Sequence, residues 1–229
     1  LAEVVRCSGN VITCGNQQVE AGYVVNAAGL YADRIAKQFG FSENYTILPF
    51  KGLYLYSNRG VGEFRTNIYP VPDLRNPFLG VHVTVAVDGH AKVGPTAIPA
   101  LWREQYGGMA NFKFKEFVNI AIEGMGLMVK ADFDFRRLAY EEIRKYSRSQ
   151  LVRLASSLAE GIDLSAYKSW GRPGIRAQLM DTRTNSLVMD FHHEGDSKSF
   201  HILNAVSPGW TCAMPFADYM VDCIDDKIN

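Results

Sequence analysis

Only four cysteines occur among the 229 residues, Cys7, Cys14, Cys212 and Cys223, with neither metal-like spacing nor a framework of paired bridges. Thiols this sparse are expected to be reduced and structural, as in a cytoplasmic protein. Net charge is also lacking, with Lys plus Arg and Asp plus Glu at 24 each. A balanced chain gives no reason to expect nucleic acid or an anionic membrane as partner, and cations for an acidic ligand must be clustered locally. The sequence has no signal-peptide pattern and no run of about 18 apolar residues, so no transmembrane segment is expected. Peripheral membrane attachment is left open. Phosphate-cradling glycines are missing too. The pairs Gly60/Gly62, Gly107/Gly108 and Gly124/Gly126 do not open a G-x-G-x-x-G turn behind a strand, and there is no G-x-x-x-x-G-K-[ST] loop.

What the chain does carry is a strand, turn and helix pattern at each end. Tyr23 to Ala36 reads YVVNAAGLYADRIA, an apolar run closing on Asn-Ala, a turn of small residues, then helical spacing. His201 to Ile224 repeats the plan, with Asn204-Ala205 and the turn Ser207, Pro208, Gly209. A buried strand of a parallel sheet reads as such a run, and the helix behind it turns unpaired N–H groups towards the strand's carboxyl end. Ala27, Ala28, Gly29, Ser207 and Gly209 are small enough for a flat or phosphorylated cofactor to approach the backbone. Ordinary βα turns would read the same way.

Together VVNAAGLYADRIA and ILNAVSPGWT resemble cofactor-contacting segments of the FAD-dependent oxidoreductases of the D-amino acid oxidase superfamily. ILPFKGLYLY, IYPVPDLRNPFLGVHVT, VGPTA and GIRAQ, in order along the chain, resemble the L-2-hydroxyglutarate dehydrogenases and oxidases within it. The resemblance implies FAD as cofactor, a small dicarboxylate 2-hydroxy acid as substrate, and a quinone or oxygen as electron acceptor. That family opens on a G-x-G-x-x-G turn, which these residues do not contain. The chain is therefore read as the carboxyl-terminal part of a larger flavoenzyme, expected to bind FAD poorly and to be inactive alone.

Between the two end units the pattern is α+β, an antiparallel mixed sheet covered by helices and attached to a partial Rossmann-like half. The expected divisions are 1–44 (partial FAD-binding portion), 45–198 (substrate-binding domain) and 199–229 (return strand and last helix). Leu1 to Glu20 alternates around Gly9-Asn10 and Gly15-Asn16 as short strands. Pro49, Pro70, Pro72 and Pro77 are expected to confine their runs to bends or sheet edges. Leu79, Val81, Val83, Val85 and Val87 share one face of a strand, and Asp88-Gly89 turns it back. Residues 111–130 are mixed in pattern, whereas 132–146 and 149–159 read as helices, with Gly161 as a stop.

Oxidation of a 2-hydroxy acid needs an acceptor for the hydroxyl proton and a cation for each carboxylate. By the resemblance, Arg176 of GIRAQ grips the α-carboxylate; a surface arginine is the alternative. His82, on the face away from Val81 and Val83, is one candidate proton acceptor, and His201 is the other. Lys51 holds the distal carboxylate, faces the flavin, or is a plain surface lysine. Tyr54 lines the pocket or packs in the core. Gly209, Trp210 and Thr211 sit where the family stabilises the reduced flavin, Trp210 replacing a small residue. The pair His192-His193 lacks a third ligand for a metal and is expected in an exposed loop. Two other readings remain: an amino-acid or glycerol-3-phosphate oxidoreductase, or a non-catalytic binding module.

Overall fold

The structure, a computed structural model, describes residues 4–71, 80–130, 133–205 and 209–228. The chain divides into two compact units, Leu1–Ile47 with Ala177–Asn229, and Leu48–Arg176.

The first unit opens with β1 (Val4–Ser8), β2 (Val11–Cys14) and β3 (Gln17–Glu20), an antiparallel meander turning at the two Gly-Asn pairs. Then come β4 (Val24–Asn26), a 3-10 turn at Gly29–Tyr31 and α1 (Ala32–Gln38). Ala32 and Ala36 are wholly buried, so α1 lies close against its neighbours in a cluster with Ile47, Leu179 and Leu203. Buried Asp33 in its first turn accepts the Ile47 N–H at 3.1 Å, which ties α1 to the start of β5 (Tyr45–Gly52).

The second unit contains β6 (Leu55–Ser57), β7 (His82–Val85), β8 (Ala91–Gly94), β9 (Ile98–Pro99), α2 (Phe114–Lys130), α3 (Phe133–Arg144), α4 (Arg148–Ser156) and β10 (Tyr167–Trp170). Four of its strands form a sheet in the order β10-β6-β8-β7, antiparallel throughout. Leu55, Val83 and Val93 lie in register across it and are fully buried against Leu151, Val152 and Ala155 of α4. Burying each such side chain stabilises the unit by about 1.5–3 kcal/mol.

Three expectations change here. Val87 is exposed rather than on the buried face, because β7 ends at Val85 and the chain turns where Ala86 N–H meets the His90 carbonyl at 2.9 Å. Pro49 lies inside β5, which runs between β11 and β9, and its carbonyl accepts the Ala100 N–H at 2.9 Å. The mixed stretch 111–130 is mostly α2. Pro72, Pro77 and Leu79 fall outside the described residues.

The chain returns through β11 (Gly174–Asp181), β12 (Ser186–Leu187), β13 (His192–Gly195), β14 (Ser199–Asn204) and α5 (Ala213–Ile228). β14 lies between β13 and β4, antiparallel to the first and parallel to the second, with Ser199, Phe200 and His201 opposite Val24, Val25 and Asn26. Head and tail of the chain are thus adjacent parallel strands. Residues 177–198 belong to this unit, because β12 pairs with the first-unit end of β11 and β13 pairs with β14. His192 and His193 are in β13 rather than a loop, and the His193 ring stacks on Phe200 with centroids 4.8 Å apart. Among the described residues no group of side chains could hold a metal ion, and no helix is long and apolar enough to cross a membrane.

Candidate functional site

In the first unit the candidate cofactor residues follow the carboxyl ends of β4 and β14. Ala27, Ala28 and Gly29 are exposed. Gly29 has φ +54°, and a Cβ built there would meet nothing within 4 Å, so this turn presents open backbone. Gly209 is half-buried, while Trp210 (92% exposed) and Thr211 stand just before α5. Ser207 falls outside the described residues. Exposed small residues beside two parallel strand ends fit one wall of a flat, phosphorylated group such as FAD.

Two buried asparagines that sequence reasoning passed over shape this region. Asn26 Nδ2 donates to the Ala32 carbonyl at 2.8 Å and to His201 Nδ1 at 3.1 Å, while its Oδ1 accepts the Ala28 N–H at 3.2 Å. Asn204 Nδ2 donates to the carbonyls of Val188 and Asp190 at 3.0 and 2.7 Å. The signal was present, since each apolar run closes on Asn-Ala. His201 has no exposed surface; its Nε2 meets Ser199 Oγ at 3.1 Å and its ring lies between Phe39 and Phe41, centroids 5.0 and 5.1 Å away. Burial holds it below its ordinary pKa, against the opposing pull of Asp196 and Glu194. With both nitrogens engaged and the ring enclosed, its geometry is that of a structural histidine rather than a proton acceptor.

The second unit holds the substrate candidates. Register places His82 opposite Gly94, and Lys92 opposite both Thr84 and Tyr56, on the face of the sheet away from Leu55, Val83 and Val93. Tyr54 reaches the same face. Its ring centroid is 6.0 Å from that of His82 and 4.7 Å from Lys92 Nζ, and Tyr69 covers His82 at 4.5 Å. Two glycines make room. A Cβ on Gly94 would fall 2.6 Å from the Leu53 carbonyl and 2.7 Å from the Tyr54 ring, and one on Gly171 would fall 2.3 Å from the Tyr56 ring.

His82 is buried, and its Nδ1 lies 3.1 Å from the Gly80 carbonyl. A carbonyl only accepts, so Nδ1 carries the hydrogen and Nε2 of the neutral ring is the acceptor nitrogen. Burial lowers the His82 pKa, the Gly80 bond opposes that, and Lys92 adds to it. Burial, with Tyr69 and Tyr56 nearby, pushes the Tyr54 hydroxyl up to about 12, so it stays a neutral phenol. Lys51, half-buried on β5, and Arg176, half-buried on β11, are both lowered by burial. Those two strands run side by side, and Gly174 lies against Gly52. The structure thus joins Tyr54 to His82, sets Lys51 and Arg176 on neighbouring strands, and adds Lys92, Tyr56 and Tyr69. An apolar cavity of about 390 Å³ between α2, α3 and β5 has Glu142 as its sole charged lining residue and brings no set of polar groups together.

The sequence profile described as FAD dependent oxidoreductase matches residues 2–223. L-2-hydroxyglutarate dehydrogenase, mitochondrial, of Bos taurus is 34% identical over 225 residues, which cover 93% of this chain and 46% of that protein. The L-2-hydroxyglutarate dehydrogenase of Escherichia coli (strain K12) is 32% identical over 208 residues, 89% of this chain and 48% of that one. The chain therefore spans about half the length of the curated relatives it matches. Among solved structures, the FAD-bound L-alpha-glycerophosphate oxidase of Mycoplasma pneumoniae superposes with a TM-score of 0.60 at 18% identity, covering 98% of this chain and 50% of that one. At that identity the likeness concerns the fold.

Proposed function

Because the chain belongs to the FAD dependent oxidoreductase family, we propose that it supplies the substrate face and one wall of the cofactor site for oxidation of L-2-hydroxyglutarate to 2-oxoglutarate. Bound FAD would supply the acceptor for the hydride from C2. The chain's residues do the rest. Arg176 holds the α-carboxylate with two parallel hydrogen bonds and so fixes the orientation of C2. His82, held in one tautomer by Gly80, takes the hydroxyl proton on Nε2 as the C=O bond forms. Lys51 supplies a cation on β5, the strand beside that of Arg176, and Tyr54 packs beside His82. Ala27, Ala28 and Gly29, with Gly209 to Thr211, would hold the flavin nucleotide, and Ser207 is assigned to the same turn from sequence. Quinone or oxygen then takes the electrons.

The observation that carries this reading is the neutral, oriented His82 on a sheet face that also bears tyrosines and a cation. The similarity to the bovine and bacterial L-2-hydroxyglutarate dehydrogenases supports the choice of acid. The test is anaerobic addition of substrate to the flavin-loaded protein, followed by visible absorbance. L-2-hydroxyglutarate should bleach the flavin, and its D isomer, glycerol 3-phosphate and glycine should not. Bleaching by glycerol 3-phosphate or glycine alone would reassign the substrate; reoxidation by oxygen or by an added quinone identifies the acceptor.

A further inference from the structure

We propose that Lys92 selects for a second carboxylate on the substrate. This rests on reading the outer face of β7 and β8 as the substrate face. Lysine stems are flexible, yet this one is fixed. Its Nζ lies 4.7 Å from the Tyr54 ring centroid and 5.8 Å from that of Tyr56, and each ring has its own space, over Gly94 and over Gly171. Aromatic faces attract a cation without neutralising it. The Tyr54 hydroxyl, with its pKa near 12, does not ionise to do so either. Among the described residues no carboxylate lies within ion-pair distance of Lys92. A positioned, uncompensated ammonium on a half-buried face is a site for an acidic group.

The spacing suits a short diacid. Lys92 pairs with Thr84, and His82 is two residues back along the same strand, on the same face. Two residues of strand span about 6.8 Å. That distance is comparable with the reach from the hydroxyl to the distal carboxylate of a five-carbon acid. An acid whose hydroxyl meets His82 therefore directs its far end towards Lys92, while Arg176 keeps the near carboxylate.

Calorimetric binding of L-2-hydroxyglutarate and of the monocarboxylate 2-hydroxybutyrate to the chain tests this. Lys92→Gln should weaken the diacid about tenfold or more and the monoacid less than about twofold, and Lys92→Arg should restore most of the difference. If Lys92→Gln does not fold, Lys92→Met keeps the stem over the rings and gives the same comparison. Equal loss for both acids, or no loss for either, overturns the proposal. Arg176→Gln separates the two readings, because it should weaken both acids alike. If Arg176→Gln changes nothing while Lys92→Gln remains selective, Lys92 stands and the α-carboxylate anchor falls. If the unsubstituted chain binds neither acid, both readings fall.

Discussion

Asn26 donates from Nδ2 to His201 Nδ1 at 3.1 Å, a bond between residues 175 apart in sequence. One amide thereby joins the turn after β4 to the strand β14. Its other bonds hold Ala28 and Ala32, so the open backbone at Gly29 depends on it. Replacing Asn26 with Ala leaves the buried His201 Nδ1 without its donor and the Ala28 N–H without its acceptor, and removes a second donor from the Ala32 carbonyl. Each such orphan costs about 1–3 kcal/mol. Urea unfolding of Asn26→Ala should show a loss of at least about 2 kcal/mol, and the flavin-loaded protein should release FAD more readily.

Gly94 and Tyr54 compete for one space. A methyl at position 94 would stand 2.6 Å from the Leu53 carbonyl as well as against the ring, and a backbone oxygen cannot swing aside as a flexible side chain does. Gly94→Ala is expected to cost about 1–3 kcal/mol and to move Tyr54 off Lys92 and His82. The near-ultraviolet circular dichroism of the tyrosines should change while the far-ultraviolet spectrum is kept.

Glu142 and Lys145 form a buried ion pair one helical turn apart, and Glu142 Oε2 also accepts the Ala97 N–H at 2.9 Å. Removing one partner strands the other charge. Glu142→Ala should therefore destabilise the chain by about 3–5 kcal/mol, whereas the double change to Met at both positions should cost far less. Thermal melts of the single and double variants check this, and additive losses would argue against coupling.

Acid should weaken the fold through His201. Burial sets its folded pKa below the ordinary 6.5. As pH falls, the unfolded chain takes up the proton first, so the stabilisation is complete above about 6.5 and is lost below it, at up to about 1.4 kcal/mol per pH unit. A second proton would also face the Asn26 amide donor. His201→Gln should melt lower at neutral pH yet show a shallower acid limb. His82 is lowered in the same direction. Substrate oxidation should accordingly persist below pH 6.5 and fall only as His82 itself becomes protonated.

Period-two alternation was enough to place His82 opposite the Val83 face and to locate the turn at Asp88-Gly89. Small residues after two apolar runs marked both strand ends now seen in parallel. What alternation could not reveal was pairing between distant strands. Lys92 gains a role only once β8 is set in register between Tyr56 and Thr84. The need for glycine at 94 and 171 shows only in the rings that pack over them. His201 looked reactive because its neighbours Phe39 and Phe41 come from the loop after α1, more than 150 residues earlier. The divisions after Ile47 and after Arg176 leave no mark in the sequence because β5 continues through the first and β11 through the second as unbroken strands.

The parallel pairing of β4 with β14 has a consequence during synthesis. When Val24 to Asn26 leave the ribosome, the segment Ser199 to His201 that pairs with them has not yet been made, and the intervening unit is completed first. Closing so long a loop is slow, and an unpaired strand edge waits throughout. Premature termination before Ser199 should therefore yield a nascent chain in which the segment around Val24 to Asn26 aggregates or is degraded, even though residues 48–176 are complete.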